Sequence, residues 1–180
     1  MKMTDQEKKQ TVIGWRGQVL ELMSQLEVVI SLYITYHFVG GNDEKKFVDM
    51  QVVILGDDRM SLNSKAQVFY FLVTEYNKDW YNSYKSHRPT PKKKSPYSLN
   101  SDLIYVIEQR NIFAHRILED GKLTDIVVPD GVIRFAKFKN SIEGVDYTNE
   151  KYQELIVIIA KLLMFIMKEV NRKSTLAPSE

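Results

Sequence analysis

The chain has 180 residues, 44% hydrophobic and 27% charged, with a net charge of +2. That composition supports one folded domain with a sizeable core and sets disorder aside for most of the length. It contains no cysteine, which excludes disulfides, thiolate metal sites and cysteine nucleophiles together.

The near-neutral charge is ordinary mixed surface charge and points to no particular partner. Met1–Gln10 is charged and precedes no short apolar core with a cleavage site, so no signal peptide is expected. The most apolar stretch, Leu155–Met167, is interrupted by Lys161 and is too short to span a bilayer. A cytoplasmic protein without a membrane segment is therefore expected.

From about Thr11 to Val39 apolar residues recur at helical spacing, with Val19, Leu22, Met23, Leu26, Ile30 and Tyr33 among them. Gly40-Gly41-Asn42 ends this first predicted helix. A second is predicted from Asp43 to about Leu55, stopped by Gly56-Asp57-Asp58. Ser61 or Asn63 is placed to cap a third, reaching Asn82. Residues 85–98 hold Pro89, Pro91, Pro96 and Lys92-Lys93-Lys94 and read as a flexible basic loop. The loop is either a solvated linker or a phosphate-attracting arm, with Lys92, Lys93 and Lys94 the candidate RNA contacts. Tyr97 is its one interleaved stacking aromatic, which is thin support for the arm.

The fourth predicted helix starts at Leu99 or Asn100 and ends near Asp120-Gly121. The period then changes to two. Leu123–Pro129 and Val132–Lys139 flank Asp130-Gly131, a type I′ hairpin signal inside an insertion at 122–140. A last helix is predicted from about Tyr147 to Val170, followed by a disordered tail at 172–180. The expected fold is a single all-α domain over 1–180, an up-and-down helical bundle of four to five helices with a small inserted β-hairpin.

The fourth helix has an unusual polar composition. With about 100° per residue and Arg110 at zero, Ala114 falls near 40°, Asn111 near 100° and His115 near 140°. Leu103, Ile107, Leu118 and Ile104 lie on the same arc, while Asp102, Gln109 and Arg116 mark a separate wet face near 240–280°. A guanidinium among aliphatic residues needs a partner, because burying it alone is costly. One account is a structural network, with Arg110 paired to a carboxylate such as Glu27 and His115 donating to a backbone carbonyl. The other is a phosphate site. A fixed guanidinium binds phosphate oxygens in pairs, an imidazole exchanges protons near neutral pH, and an amide positions a hydroxyl. Seven arginines and three histidines would produce an Arg-x4-His pair by chance roughly one time in ten, so the spacing alone is a weak signal.

The segment Ile107-Glu108-Gln109-Arg110-Asn111-Ile112-Phe113-Ala114-His115-Arg116 resembles the signature helix of the HEPN superfamily, in which an arginine is followed after four to six residues by a histidine. The likeness at residue level covers about Leu103 to Asp120, and elsewhere it is architectural. It implies a metal-independent endoribonuclease acting as a homodimer on RNA by 2′-hydroxyl transesterification, without cofactor or metal. His115 would be the general acid/base, Arg110 the phosphate and transition-state ligand, and Asn111 a substrate-positioning residue. Glu27 would stand behind Arg110 as a supporting partner. The resemblance further implies a toxin–antitoxin or anti-phage defence setting, with an antitoxin or neighbouring defence protein as partner. HEPN toxins regulated by tyrosine modification often carry Tyr two residues after the histidine. Here that residue is Ile117, which speaks against that form of regulation. The competing expectation is a HEPN-fold module that binds RNA, nucleotides or protein without cleavage.

The other histidines read as ordinary. His37 closes the first helix among Tyr36 and Phe38, and His87 lies in the proline loop. There is no Glu-x-x-His or His-x-x-x-His for a metal, no phosphate-cradling glycine loop and no nucleophile elbow.

Overall fold

In the computed structural model the described residues are 3–89, 95–118, 128–136 and 144–175. They form a mostly helical fold of six helices with a small antiparallel sheet. Helix α1 spans Asp5–Phe38, α2 Glu44–Asp49, α3 Leu62–Tyr76, α4 Lys78–Asn82, α5 Leu99–His115 and α6 Asn149–Thr175. The strands are β1 Ile117–Leu118, β2 Ile133–Ala136 and β3 Gly144–Tyr147.

α1 begins earlier than its apolar periodicity, because Thr4 and Glu7 make a reciprocal capping box that starts the helix at Asp5. Its stripe of Val12, Trp15, Val19, Met23, Leu26 and Ile30 is buried and packs along α6, which supplies Tyr152, Leu155, Ile159, Leu162 and Ile166 at helical spacing. Trp15 stacks on Tyr152 with ring centroids 4.3 Å apart. α1 is long and apolar enough to cross a membrane by length and composition, and half of its most apolar window is buried inside the fold.

Asp43, expected as the first residue of the second helix, instead caps it, and from Met50 to Leu55 the chain continues in wider π-type turns. Gln51 ties that segment to α1 by donating to the Ser31 carbonyl and the Thr35 hydroxyl. The single third helix expected up to Asn82 is broken at Asn77 into α3 and α4. The cause is tertiary: the Asn77 amide donates to Glu169 on α6 at 2.7 Å. Glu169 is buried and also takes Arg172 at 2.8 and 2.6 Å. Burial alone would raise this carboxyl, but the Arg172 and Asn77 hydrogen bonds outweigh it and hold it below the usual carboxylate range.

A depressed acid stabilises the fold above its unfolded value and loses that contribution as pH falls through the folded value. The expected outcome is that wild type loses stability below pH 4.5, the ordinary glutamate value, while Glu169→Gln shows no such component. At pH 7 the same substitution costs about 1–3 kcal/mol through weaker charge-assisted hydrogen bonds. Thermal melts of the two proteins at pH 7 and pH 3 check both points, and equal acid sensitivity would contradict them.

The expected hairpin is only part of the sheet. Its turn is present: Val132 N–H donates to the Pro129 carbonyl at 3.2 Å, and Gly131 takes a left-handed φ of 76°. Of the first predicted strand, Leu123–Pro129, residues 123–127 lie outside the described residues, and 128–129 are not in a strand. β2 instead pairs with β1 through Ile117–Ala136 and Leu118–Phe135, and with β3 through Ile133–Tyr147 to Ala136–Gly144. The sheet therefore draws strands from both sides of 122–140. The first of them takes residues expected to be helical, and the last takes Tyr147, expected to open the final helix. α6 continues through Thr175, so the tail expected at 172–180 is helical up to that point.

Candidate functional site at the end of α5

α5 is capped by Ser98, whose hydroxyl accepts from the Ser101 N–H. Its C-terminal third is oriented by Phe113, fully buried against Phe135 and Tyr147 with centroids 5.0 and 4.9 Å away. Gln109 supports the same orientation by accepting from the buried Tyr147 hydroxyl. At about 100° per residue, fixing Phe113 inward sends Asn111 and His115 outward, about 40° apart on the opposite side. Both are exposed, and Arg110 is half-buried at the edge of the packed face. Its Nη1 donates to Asn111 Oδ1 at 3.1 Å, drawing the guanidinium towards the exposed side.

The structure thus corrects the wheel in one respect. Asp102 and Gln109, expected on the wet face, are buried, while Ile104, expected among the core residues, is 48% exposed on the same side of the helix as Asn111 and His115. The supposed apolar arc contains the outer face of the helix.

α5 stops at His115. Arg116 is extended, with φ −88° and ψ 151°, and its N–H still donates to the Ile112 carbonyl. Arg16 of α1 donates through Nη2 to the Arg116 carbonyl. Arg110 and His115 lie in the last turns of a 17-residue helix, and Arg16 reaches the carbonyl of Arg116 just beyond its end, where the macrodipole favours positive charge.

Glu27 does not support Arg110. Its carboxylate pairs with Lys65 of α3. The reason is distance along α1: Glu27 lies about 16 Å beyond Arg16, the residue level with the end of α5. Lys92, Lys93 and Lys94 lie outside the described residues. His37 packs between Phe38 and Tyr76, at 5.1 and 4.8 Å, where burial and then Lys173 hold its imidazole below the usual range. Among the described residues there is no group of three or more His, Asp or Glu side chains placed to hold a metal.

The sequence reading missed a second polar centre, on α5 and the proline segment. Asp102 is fully buried. It accepts from the Tyr84 hydroxyl at 2.7 Å and faces Arg88 Nη1 at 3.4 Å. The Arg88 guanidinium is sandwiched between Tyr97 and Tyr105, 3.7 and 4.1 Å from the ring centroids. Burial, then the contact with Asp102, pushes the Tyr84 hydroxyl well above the usual range. The expected flexible loop is thus pinned on both sides, at Arg88 and at Tyr97. Two open clefts of about 550 and 590 Å³ flank this segment, and neither is lined by Arg110, Asn111 or His115. The paired tyrosines at 97 and 105 were the one local signal, and nothing near them in sequence identified Arg88 as their guest.

No known protein-family model matches the chain, and no curated protein or solved structure matches it.

Proposed function

We propose that this chain is a metal-independent endoribonuclease of the HEPN type, an up-and-down helical bundle acting as a cytoplasmic homodimer in a defence or toxin–antitoxin setting. The observation that carries the reading is the disposition of the Arg-Asn-x-x-x-His set. His115 and Asn111 are exposed side by side, and Arg110 is hydrogen-bonded towards them. A purely structural network would seal these groups in the core.

In this reading the RNA 2′-oxygen attacks phosphorus as its proton passes to a basic imidazole. Arg110 binds the charge gathering on the non-bridging oxygens, and the 5′-oxygen leaves with a proton from an imidazolium. The P–O2′ bond forms, the P–O5′ bond breaks, and the products end in a 2′,3′-cyclic phosphate and a 5′-hydroxyl. One His115 per chain on an outward face fits a cleft completed by a second copy, whose imidazole supplies the opposite proton role.

The competing reading is a HEPN-fold binding module without cleavage. The angle of about 140° between Arg110 and His115 around the helix favours it, because one copy alone does not aim both groups at a single phosphate. The deciding experiment incubates the protein with mixed RNA in a chelator, comparing wild type with His115→Ala and Arg110→Ala. Cleavage by wild type alone, with cyclic-phosphate ends, supports the nuclease. No cleavage by wild type, or equal cleavage by all three, rejects it.

A further inference from the structure

We propose that Arg16 is the positioning residue of the α5 site: by holding the Arg116 carbonyl it sets where the helix stops and so how His115 is presented. The inference rests on the role assigned above to His115 and adds a residue from a different helix.

Nothing local explains why α5 ends where it does. Residues 116–118 contain neither glycine nor proline, and Leu118 continues the helical apolar pattern. Yet the chain turns extended at Arg116 and enters β1. Two contacts hold that exit. Ile117 and Leu118 pair with Ala136 and Phe135, and Arg16 Nη2 bonds the Arg116 carbonyl. The same guanidinium lies 5.7 Å over the Phe135 ring, so one side chain ties α1, the end of α5 and β2 together.

Among the described residues its Nε is buried without a hydrogen-bond partner, an unusual condition for a buried donor. The arrangement makes sense if the guanidinium is placed for the carbonyl and the ring at the expense of its own saturation. In a continued helix the Arg116 carbonyl would point along the helix axis to accept from the amide four residues on, and not outward as the extended residue presents it to Arg16.

The consequence falls on His115. In a longer helix its neighbours on the same face would be the residues three and four positions later, 118 and 119. Leu118 instead turns into the sheet and is half-buried there. Among the described residues no further helical turn covers His115, which is exposed.

The test compares wild type, Arg16→Met and Arg16→Lys in the full chain. It follows amide hydrogen exchange at Ile117 and Leu118, the His115 imidazole signal by NMR, and RNA cleavage. With Met, exchange at Ile117 and Leu118 is expected to quicken by about ten- to a hundredfold, the factor for losing a hydrogen bond from a charged donor. The imidazole signal moves, and kcat falls by a similar factor with KM within about twofold. Amides of α6 around Leu155 and Ile159 stay protected. Lys keeps a donor and recovers part of each effect.

Unchanged exchange and an unchanged imidazole signal in the Met variant would overturn the proposal. So would a uniform loss of protection that includes α6, which would make Arg16 a general stabiliser. Should the Met variant not fold, the same comparison with the Lys variant decides. If wild type cleaves no RNA, the nuclease reading fails while the exchange and imidazole signals still decide the role of Arg16.

Discussion

Replacing His115 with alanine is expected to lower RNA cleavage by about a hundred- to ten-thousandfold while leaving the melting temperature nearly unchanged. The range is that of a single general acid or base. His115 is exposed at the last position of α5, and surface substitutions of this kind usually change stability by about half a kcal/mol or less. Loss of activity therefore cannot be assigned to loss of fold. Arg110→Ala is expected to reduce cleavage comparably. Arg110→Lys should fail to rescue it, because an ammonium cannot bind two phosphate oxygens in one plane. Cleavage rates in chelator, with circular dichroism melts of each variant, provide the measurement. A His115→Ala protein that binds and cleaves RNA like wild type would remove the nuclease assignment. A wild type that binds RNA with His115-dependent affinity and cleaves none would favour the binding module.

The largest stability effect is expected at Arg88, not at the candidate site. Asp102 is fully buried, and Arg88 is the cation beside it, with only 19% of its side chain exposed. Removing one member of a buried pair leaves the other charged and unsatisfied, at a cost of about 3–5 kcal/mol. The 3.4 Å separation and residual exposure of Arg88 place Arg88→Met at the lower end, about 3 kcal/mol. In a domain of this size that is a fall of roughly 6–12 °C in melting temperature. Tyr97 and Tyr105 lose their shared cation in the same step, which loosens the proline segment. The double variant Arg88→Met, Asp102→Leu, combined with Tyr84→Phe so that no hydroxyl is left without its acceptor, is expected to recover most of the loss, because no buried charge remains. Calorimetry on Arg88→Met and on the combined variant checks this. A combined variant as unstable as Arg88→Met would mean that the aromatic stacking, and not the buried carboxylate, dominates.

The two centres lie on one helix but at different heights. Asp102 belongs to the first turns of α5 and His115 to its last, about 20 Å apart along the axis. Substitutions at Arg88 are therefore expected to act on stability, and substitutions at His115 on chemistry.

The sequence by itself determined the features that are local. The apolar periods of α1, α3, α5 and α6 announce four main helices, because each needs only its own repeat to be read. The cap at Ser61, the starts of α2 and α5 to within a residue, the Asp130-Gly131 turn and the position of the Arg110–His115 segment were likewise legible. Tertiary structure decided the rest. Apolar count alone misplaced part of the burial arc on α5: Leu103 and Ile107 are buried as read, but Asp102 and Gln109 are admitted to the core by Arg88, Tyr84 and Tyr147 from other parts of the chain, while Ile104 has no such covering. Asn77 breaks a helix because Glu169, 92 positions later, takes its amide. Glu27 pairs with Lys65 because α3, not the end of α5, lies at its height on α1. α5 stops at His115 because Arg16 and β2 take the carbonyl and the strand that a longer helix would use. In each case the deciding partner is remote in sequence, and a polar group's place follows from who satisfies it.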